Sequence, residues 1–166
     1  MALTFDQIGV GRRRAALVCG IDDARLTNWM NGKYGMFRDE PQPRAFTYAE
    51  CLSVRFVADA LAFGLPLLSV IPAANQRSPW RALASGQREM RLVQGVSGAL
   101  VDIGEAAGDP DLPVLHWPVR LLFVRTWDRF CAHACDQCRT PEDARHVSAV
   151  LADAGERLRQ LVDDAT

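Results

Sequence analysis

The chain has no run of about eighteen apolar residues, so no membrane-spanning helix is expected. Its first residues, MALTFDQIG, lack the charged start and apolar core of a secretory signal peptide. We therefore expect a cytoplasmic protein without a membrane partner. The number of cysteines, 5, is odd, which favours reduced thiols or metal ligands over a disulfide framework.

The signatures of common enzymes are also missing. There is no glycine-rich phosphate loop, no nucleophile elbow and no His-Glu-x-x-His motif. The histidines have no sequence neighbours that argue for catalysis (His116, His133 and His146). The sequence predicts a protein that is not an enzyme and that needs no cofactor.

Lysine is nearly absent from the chain. All of the 19 basic residues except Lys33 are arginine, whose planar guanidinium suits phosphate and guanine. Residues 1–77 hold 9 basic and 7 acidic side chains, whereas residues 78–166 hold 10 and 13. A mildly basic front half permits contact with nucleic acid without requiring it.

Two helices are predicted near the start of the chain. Thr4 with Gln7 fits a capping box, which predicts a helix over residues 5–18. Gly20 is a natural end for that helix, because glycine tolerates the left-handed conformation. Asp22 can then cap a second helix over residues 23–30.

The next elements follow in a recognisable order. A loop or hairpin over residues 33–46 precedes the capping box Thr47–Glu50, which predicts a helix that ends at Gly64. Pro66 begins a shorter helix that Pro72 is expected to close. Two helices joined by a glycine turn, a hairpin and a capped helix together predict a winged helix-turn-helix.

Three stretches of this half resemble the MerR-like regulators. AALVCGIDDARLTNW, residues 15–29, resembles the first helix, turn and recognition helix of that family. RAF, residues 44–46, resembles the Arg-x-Tyr that closes the wing, and residues 51–68 resemble the following helices. The family's Arg-Tyr pair on the recognition helix is here Thr27 and Asn28.

The resemblance implies sequence-specific binding to double-stranded DNA. The base-reading candidates lie on or beside the second helix (Asp22, Arg25, Thr27 and Asn28). The phosphate candidates are basic residues around it, together with a tyrosine that can supply the hydroxyl that Phe46 lacks (Arg12, Arg13, Arg14, Lys33, Arg38, Arg44 and Tyr48). The alternative is a helix-turn-helix that serves only as a structural corner, with the arginines on a solvated face.

The stretch ANQRSP, residues 74–79, is the best linker candidate. It separates a predicted DNA-binding domain at residues 1–75 from a second domain at residues 78–166. In the second domain, residues 90–103 fit a hairpin that turns at residues 95–98, with a glycine-weakened helix as the alternative. A strand leading into a helix is expected to follow. A long helix is expected from Pro141 to about residue 165. The predicted class is mainly α (α+β), with a C-terminal α/β region that ends in this helix.

The last helix carries a stripe of apolar residues at heptad spacing. Its larger or better placed members are the candidates for a dimer seam (Val147, Leu151, Ala154, Leu158 and Leu161). A homodimer would present two recognition helices to an inverted repeat. The alternative is a helix that lies on its own domain, because the stripe is short.

A cysteine cluster, CAHACDQC, precedes this helix. Its thiols and imidazole suit a metal ion (Cys131, His133, Cys135 and Cys138). Against that interpretation, Cys131, Cys135 and Cys138 form one helical stripe, which buried cysteines also do. Core packing, a metal site and a redox sensor are the alternatives.

The sequence therefore predicts a dimeric transcriptional regulator that reads an inverted repeat through residues 23–30 and the wing at residues 33–46. A small-molecule effector or a protein partner of residues 78–166 would fit this role. One alternative is an architectural, excision or packaging factor of a phage or mobile element. The other is a protein-interaction module that does not bind DNA.

Overall fold

The computed structural model describes residues 3–31, 34–38, 45–104 and 113–163. Its strands are β1 Gly9–Gly11, β2 Ala45–Thr47, β3 Glu89–Gln94, β4 Leu100–Asp102 and β5 Val114–Pro118. Its helices are α1 Arg12–Cys19, α2 Asp23–Met30, α3 Tyr48–Ala62, α4 Leu67–Asn75, α5 Ser78–Ala84, α6 Val119–Asp136 and α7 Pro141–Asp163. The molecule is mainly helical with small antiparallel sheets, so the predicted mainly α (α+β) class is confirmed. Within the described ranges, no helix is both long and apolar enough to cross a membrane.

The start of the chain differs from the predicted helix over residues 5–18. The Thr4 capping box forms, but it begins only a 3₁₀ turn at Phe5–Gln7. Strand β1 follows and pairs antiparallel with β2, with Val10 opposite Phe46. A Cβ on Gly9 would lie 2.8 Å from the Cβ of Ala45, so glycine permits this close pairing. The first half of the predicted helix is therefore wrong, and only α1 remains of it.

Helices α1 and α2 follow the local signals closely. Gly20 adopts φ 67° at the end of α1, and the N–H of Ile21 bonds to the carbonyl of Ala16 at 3.0 Å. The side chain of Asp22 accepts the N–H of Arg25 at 2.6 Å. The predicted helix over residues 23–30 is confirmed, together with its cap.

Proline does not end α4 as predicted. The helix continues through Pro72 to Asn75, and the buried Ala73 and Ala74 hold its last turn against the core.

At the start of α3, the predicted capping box is confirmed, because Glu50 accepts the N–H of Thr47 at 2.9 Å.

The predicted linker at residues 74–79 is a tight turn between two packed helices. Arg77 adopts φ 54° there and reaches the carboxylate of Glu50 at 2.8 Å. Ser78 is fully buried, and α5 packs against α3. One hydrophobic core runs across the predicted domain boundary and contains residues of both halves. The linker is therefore a structural turn.

The back half contains the predicted hairpin. Strands β3 and β4 are antiparallel, and β5 pairs with the other side of β3. Strand β5 leads directly into α6, as the sequence predicted. Helix α7 then packs on α6 and α5.

The predicted dimer stripe is the inner face of α7 in the single chain. Leu151 is 2% exposed and Leu158 is 5% exposed, whereas Leu161 is 38% exposed. Val147 and Ala154 are half-buried against the same core. Nearby, a Cβ on Gly155 would lie 2.9 Å from the ring of Trp127, so α7 approaches α6 closely. This packing favours the alternative of a helix that lies on its own domain.

Candidate nucleic-acid interface

Helix α2 is anchored by one face and exposed on the other. Leu26 is 0% exposed and Trp29 is 3% exposed, so both belong to the core. Arg25 and Asn28 are exposed, as is Asn31, the residue that follows the helix. The exposed face therefore carries side chains that donate and accept hydrogen bonds, as base recognition requires.

The acidic residues at the start of α2 are both engaged. Asp22 caps the helix through the N–H of Arg25. Asp23 accepts two bonds from Arg12, at 2.8 Å from Nε and 3.1 Å from Nη2. Those bonds lower the pKa of Asp23 below its ordinary value of 3.8. The Arg12–Asp23 ion pair is therefore formed above pH 3.8 and is lost as the pH falls through the lowered pKa of Asp23.

A cleft of about 240 Å³, lined by both polar and apolar side chains, lies beside α2. It is lined by residues of α1, α2 and the described part of the predicted wing (Arg12, Thr27, Met30, Asn31, Phe37 and Arg38). The hydroxyl of Thr27 donates to the carbonyl of Asp23 at 2.8 Å. Thr27 is thus a half-buried wall of the cleft, next to the exposed face rather than on it.

Residues 34–38, the described part of the predicted wing, are fixed to the core. Phe37 is buried and adopts φ 56°, and its N–H donates to the Asn75 side chain at 2.9 Å. Met36 donates its N–H to the carbonyl of Trp29 at 2.9 Å. These contacts place the exposed Arg38 beside the end of α2.

The remaining phosphate candidates have different surroundings. Arg13 is exposed at the start of α1, whereas Arg14 is half-buried and donates to the carbonyl of Asp136 at 3.4 Å. Lys33 and Arg44 lie outside the described residues. The structure therefore brings Arg12 and Arg38 to the cleft and leaves Arg13 on the adjoining surface.

Tyr48 is not a phosphate contact, and that prediction is wrong. The side chain is 1% exposed, and its hydroxyl bonds to Thr126 of α6 at 3.0 Å. Its ring packs edge-on against Trp127, with centroids 4.8 Å apart. Burial raises the pKa of the phenol well above its ordinary value. Tyr48 instead ties α3 to α6.

Tyr48→Phe tests this structural role. We expect the free energy of unfolding to fall by about 1 kcal/mol, because a buried hydrogen bond is lost while the ring stays in place. Affinity for any duplex should not change. Denaturant unfolding and fluorescence anisotropy measure the two quantities. A stable variant with weakened DNA binding would restore the phosphate role.

The cysteine cluster lies where α6 meets α7. Cys131 and Cys135 line a cavity with α7 residues, and Cys138 donates to the carbonyl of Ala134 at 3.4 Å. Burial raises the pKa of Cys131 to about 12 and also raises that of Cys135. Metals bind the thiolate, so these shifts oppose ligation. Among the described residues, no three His, Cys, Asp or Glu side chains are grouped for a metal.

Sequence reasoning missed a partly buried charge cluster that contacts the end of α1 through the carbonyl of Cys19. Asp59, in the apolar run of α3, bonds to Arg55 of the same helix and to Arg125 of α6. The spacing of Arg55 and Asp59 by four residues was a visible signal, because it permits a helical ion pair. The partner on α6 gave no such signal, since it lies 66 residues away.

Comparisons with family models, with curated proteins and with solved structures found no match to this chain.

Proposed function

We propose that the chain binds double-stranded DNA in a sequence-specific way, as a transcriptional regulator, through the exposed face of α2. The observation that carries this proposal is the position of Arg25 and Asn28. Both are exposed on a helix whose opposite face is buried through Leu26 and Trp29. A helix held in this way can enter the major groove, where Arg pairs with guanine and Asn with adenine.

The elements around α2 support the proposal. The tight turn at Gly20 fixes the end of α1 directly before α2, which is the order of a helix-turn-helix. Strand β2 follows the predicted wing and returns the chain to β1. Arg13, whose charge acts on Asp23, and Arg38, which lines the cleft beside α2, are exposed candidates for phosphate contacts. These features support the proposal of a winged helix-turn-helix.

We further propose that two copies of the chain read an inverted repeat. Two copies would need a contact surface other than the inner face of α7, because Leu151 and Leu158 are already buried in the single chain. The size of the selected DNA site distinguishes a single reading copy from a dimer, since one copy reads one half-site and a dimer reads two.

Arg13→Ala tests the phosphate contribution. We expect weaker binding to all duplexes alike and a salt dependence lower by about one counterion, because one phosphate contact is lost. Anisotropy titrations between low and moderate salt measure this slope. Arg145→Ala is the matched control, because Arg145 is an exposed arginine on α7. Equal slopes for wild type and Arg13→Ala would remove Arg13 from the interface.

A further inference from the structure

A further cavity, formed by residues outside α1 and α2, has the lining of a small-molecule site. It occupies about 330 Å³ between the end of α3, strand β5 and the start of α6. Most of its wall is apolar (Phe63, Leu65, Leu115, Trp117, Leu121 and Leu122). Small-molecule sites fall within roughly 300–1,000 Å³ and combine apolar walls with a few polar groups.

The aromatic walls of this cavity are ordered by one another. The ring of Trp117 packs edge-on against Phe63, with centroids 5.5 Å apart, and against the buried Phe56 at 5.2 Å. Phe63 is nevertheless 80% exposed and Leu121 is 49% exposed. Large apolar side chains that are exposed to solvent around a cavity indicate a surface to which a ligand can bind.

The polar groups of the cavity favour an anion. Asp59 accepts bonds from two guanidinium groups, from Arg55 at 2.5 Å and from Arg125 at 3.1 Å. A single carboxylate between two guanidinium groups leaves one positive charge unbalanced. The side chain of Arg125 is half-exposed, so a ligand can reach it. His116, the other ionisable group of the lining, bonds to Glu89.

We propose that this cavity binds a small carboxylic acid with an apolar chain or ring. The apolar part would lie between Phe63, Trp117 and Leu121. The ligand carboxylate would pair with Arg125, since guanidinium binds carboxylates through two parallel hydrogen bonds.

The cavity is connected to the α1–α2 turn. Arg55, which shares Asp59 with Arg125, also donates to the carbonyl of Cys19 at 2.9 Å. Cys19 is the last residue of α1, directly before Gly20. A ligand that competes for Arg125 changes the partners of Asp59 and, through Arg55, the support of the turn. This coupling step depends on the proposed function of α2, whereas binding to the cavity does not.

Calorimetry with three matched probes tests the site in the absence of DNA. We expect octanoate to bind about tenfold more tightly than octanamide, a difference of about 1.4 kcal/mol, because guanidinium bonds more strongly to a carboxylate than to a neutral amide. Octylamine should bind more weakly than either. Arg125→Met should remove the preference for octanoate, and the neutral, similarly sized change Leu121→Asn should weaken octanoate and octanamide alike. Arg120→Met on the same helix is the control, since Arg120 is exposed and is not part of the lining.

Equal affinities for octanoate and octanamide would overturn the assignment, as would wild-type binding by Leu121→Asn. Circular dichroism and thermal unfolding confirm that each variant is folded. With a selected duplex, octanoate should change the DNA dissociation constant, and Arg125→Met should remove that change. An unchanged constant in the presence of bound octanoate would overturn the coupling alone. Absence of DNA binding would contradict the proposed function and leave the calorimetric result intact.

Discussion

Arg25→Ala should weaken binding to the preferred duplex by about 1–3 kcal/mol, the value of a bidentate contact between arginine and guanine. The side chain is exposed, so its removal leaves the folded state largely unchanged. Preference at one base position should relax, because the missing contact no longer rejects other bases. Affinity for unrelated duplexes should fall much less. Competition titrations against a panel of single-base variants measure this difference.

The control for this experiment is Arg145→Ala, which removes an exposed arginine from α7. It should bind every duplex of the panel as the wild type does. If Arg25→Ala retains the full base preference of the wild type, α2 does not read bases through this residue. A uniform loss across the panel would make Arg25 a phosphate contact instead.

Leu151→Ala should lower the free energy of unfolding by about 2–5 kcal/mol, the usual cost of removing a large side chain from a core. Leu151 is 2% exposed within the single chain, so the loss should not depend on protein concentration. Denaturant unfolding at two concentrations about a hundredfold apart measures both properties.

Leu161→Ala is the matched control on the same stripe of α7. Leu161 is 38% exposed, so its removal should have a much smaller effect. Were the stripe a dimer seam, both variants would destabilise the protein and the midpoint of unfolding would rise with concentration. Such a result would contradict the packing of α7 on its own chain.

The sequence predicted elements well where local chemistry determines them. The Gly20 turn, the Asp22 cap and the Thr47 capping box depend on groups within a few residues of one another. Their physics is therefore visible in a short window of sequence. The same is true of the hairpin formed by residues 89–102, whose turn contains glycines.

Distant contacts decided the elements that were predicted wrongly. Strand β1 forms because it pairs with β2, more than thirty residues further along the chain. Tyr48 is buried by α6, since its hydroxyl partner lies 78 residues away. Nothing in a short window reveals either partner, so the local capping box favoured a helix, and the family resemblance favoured an exposed hydroxyl.

Periodicity also leaves one question open at α7. The spacing of Leu151 and Leu158 shows that one face of the helix is apolar, but it does not identify what covers that face. In the structure, α6 and α5 cover it. The candidate ligand cavity could not be predicted for the same reason. Trp117 and its neighbours are recognisably apolar in the sequence, but the sequence does not show that they line a cavity.

Selection from a random duplex library at about 0.15 M salt tests directly whether α2 reads base sequence, because such salt screens weak phosphate attraction. We expect an enriched sequence that the double variant Arg25→Ala with Asn28→Ala no longer selects. One half-site would indicate a single reading copy, an inverted repeat would indicate a dimer, and phased direct sites would favour an architectural factor. A library without enrichment, together with binding that disappears as salt rises, would contradict sequence reading by α2.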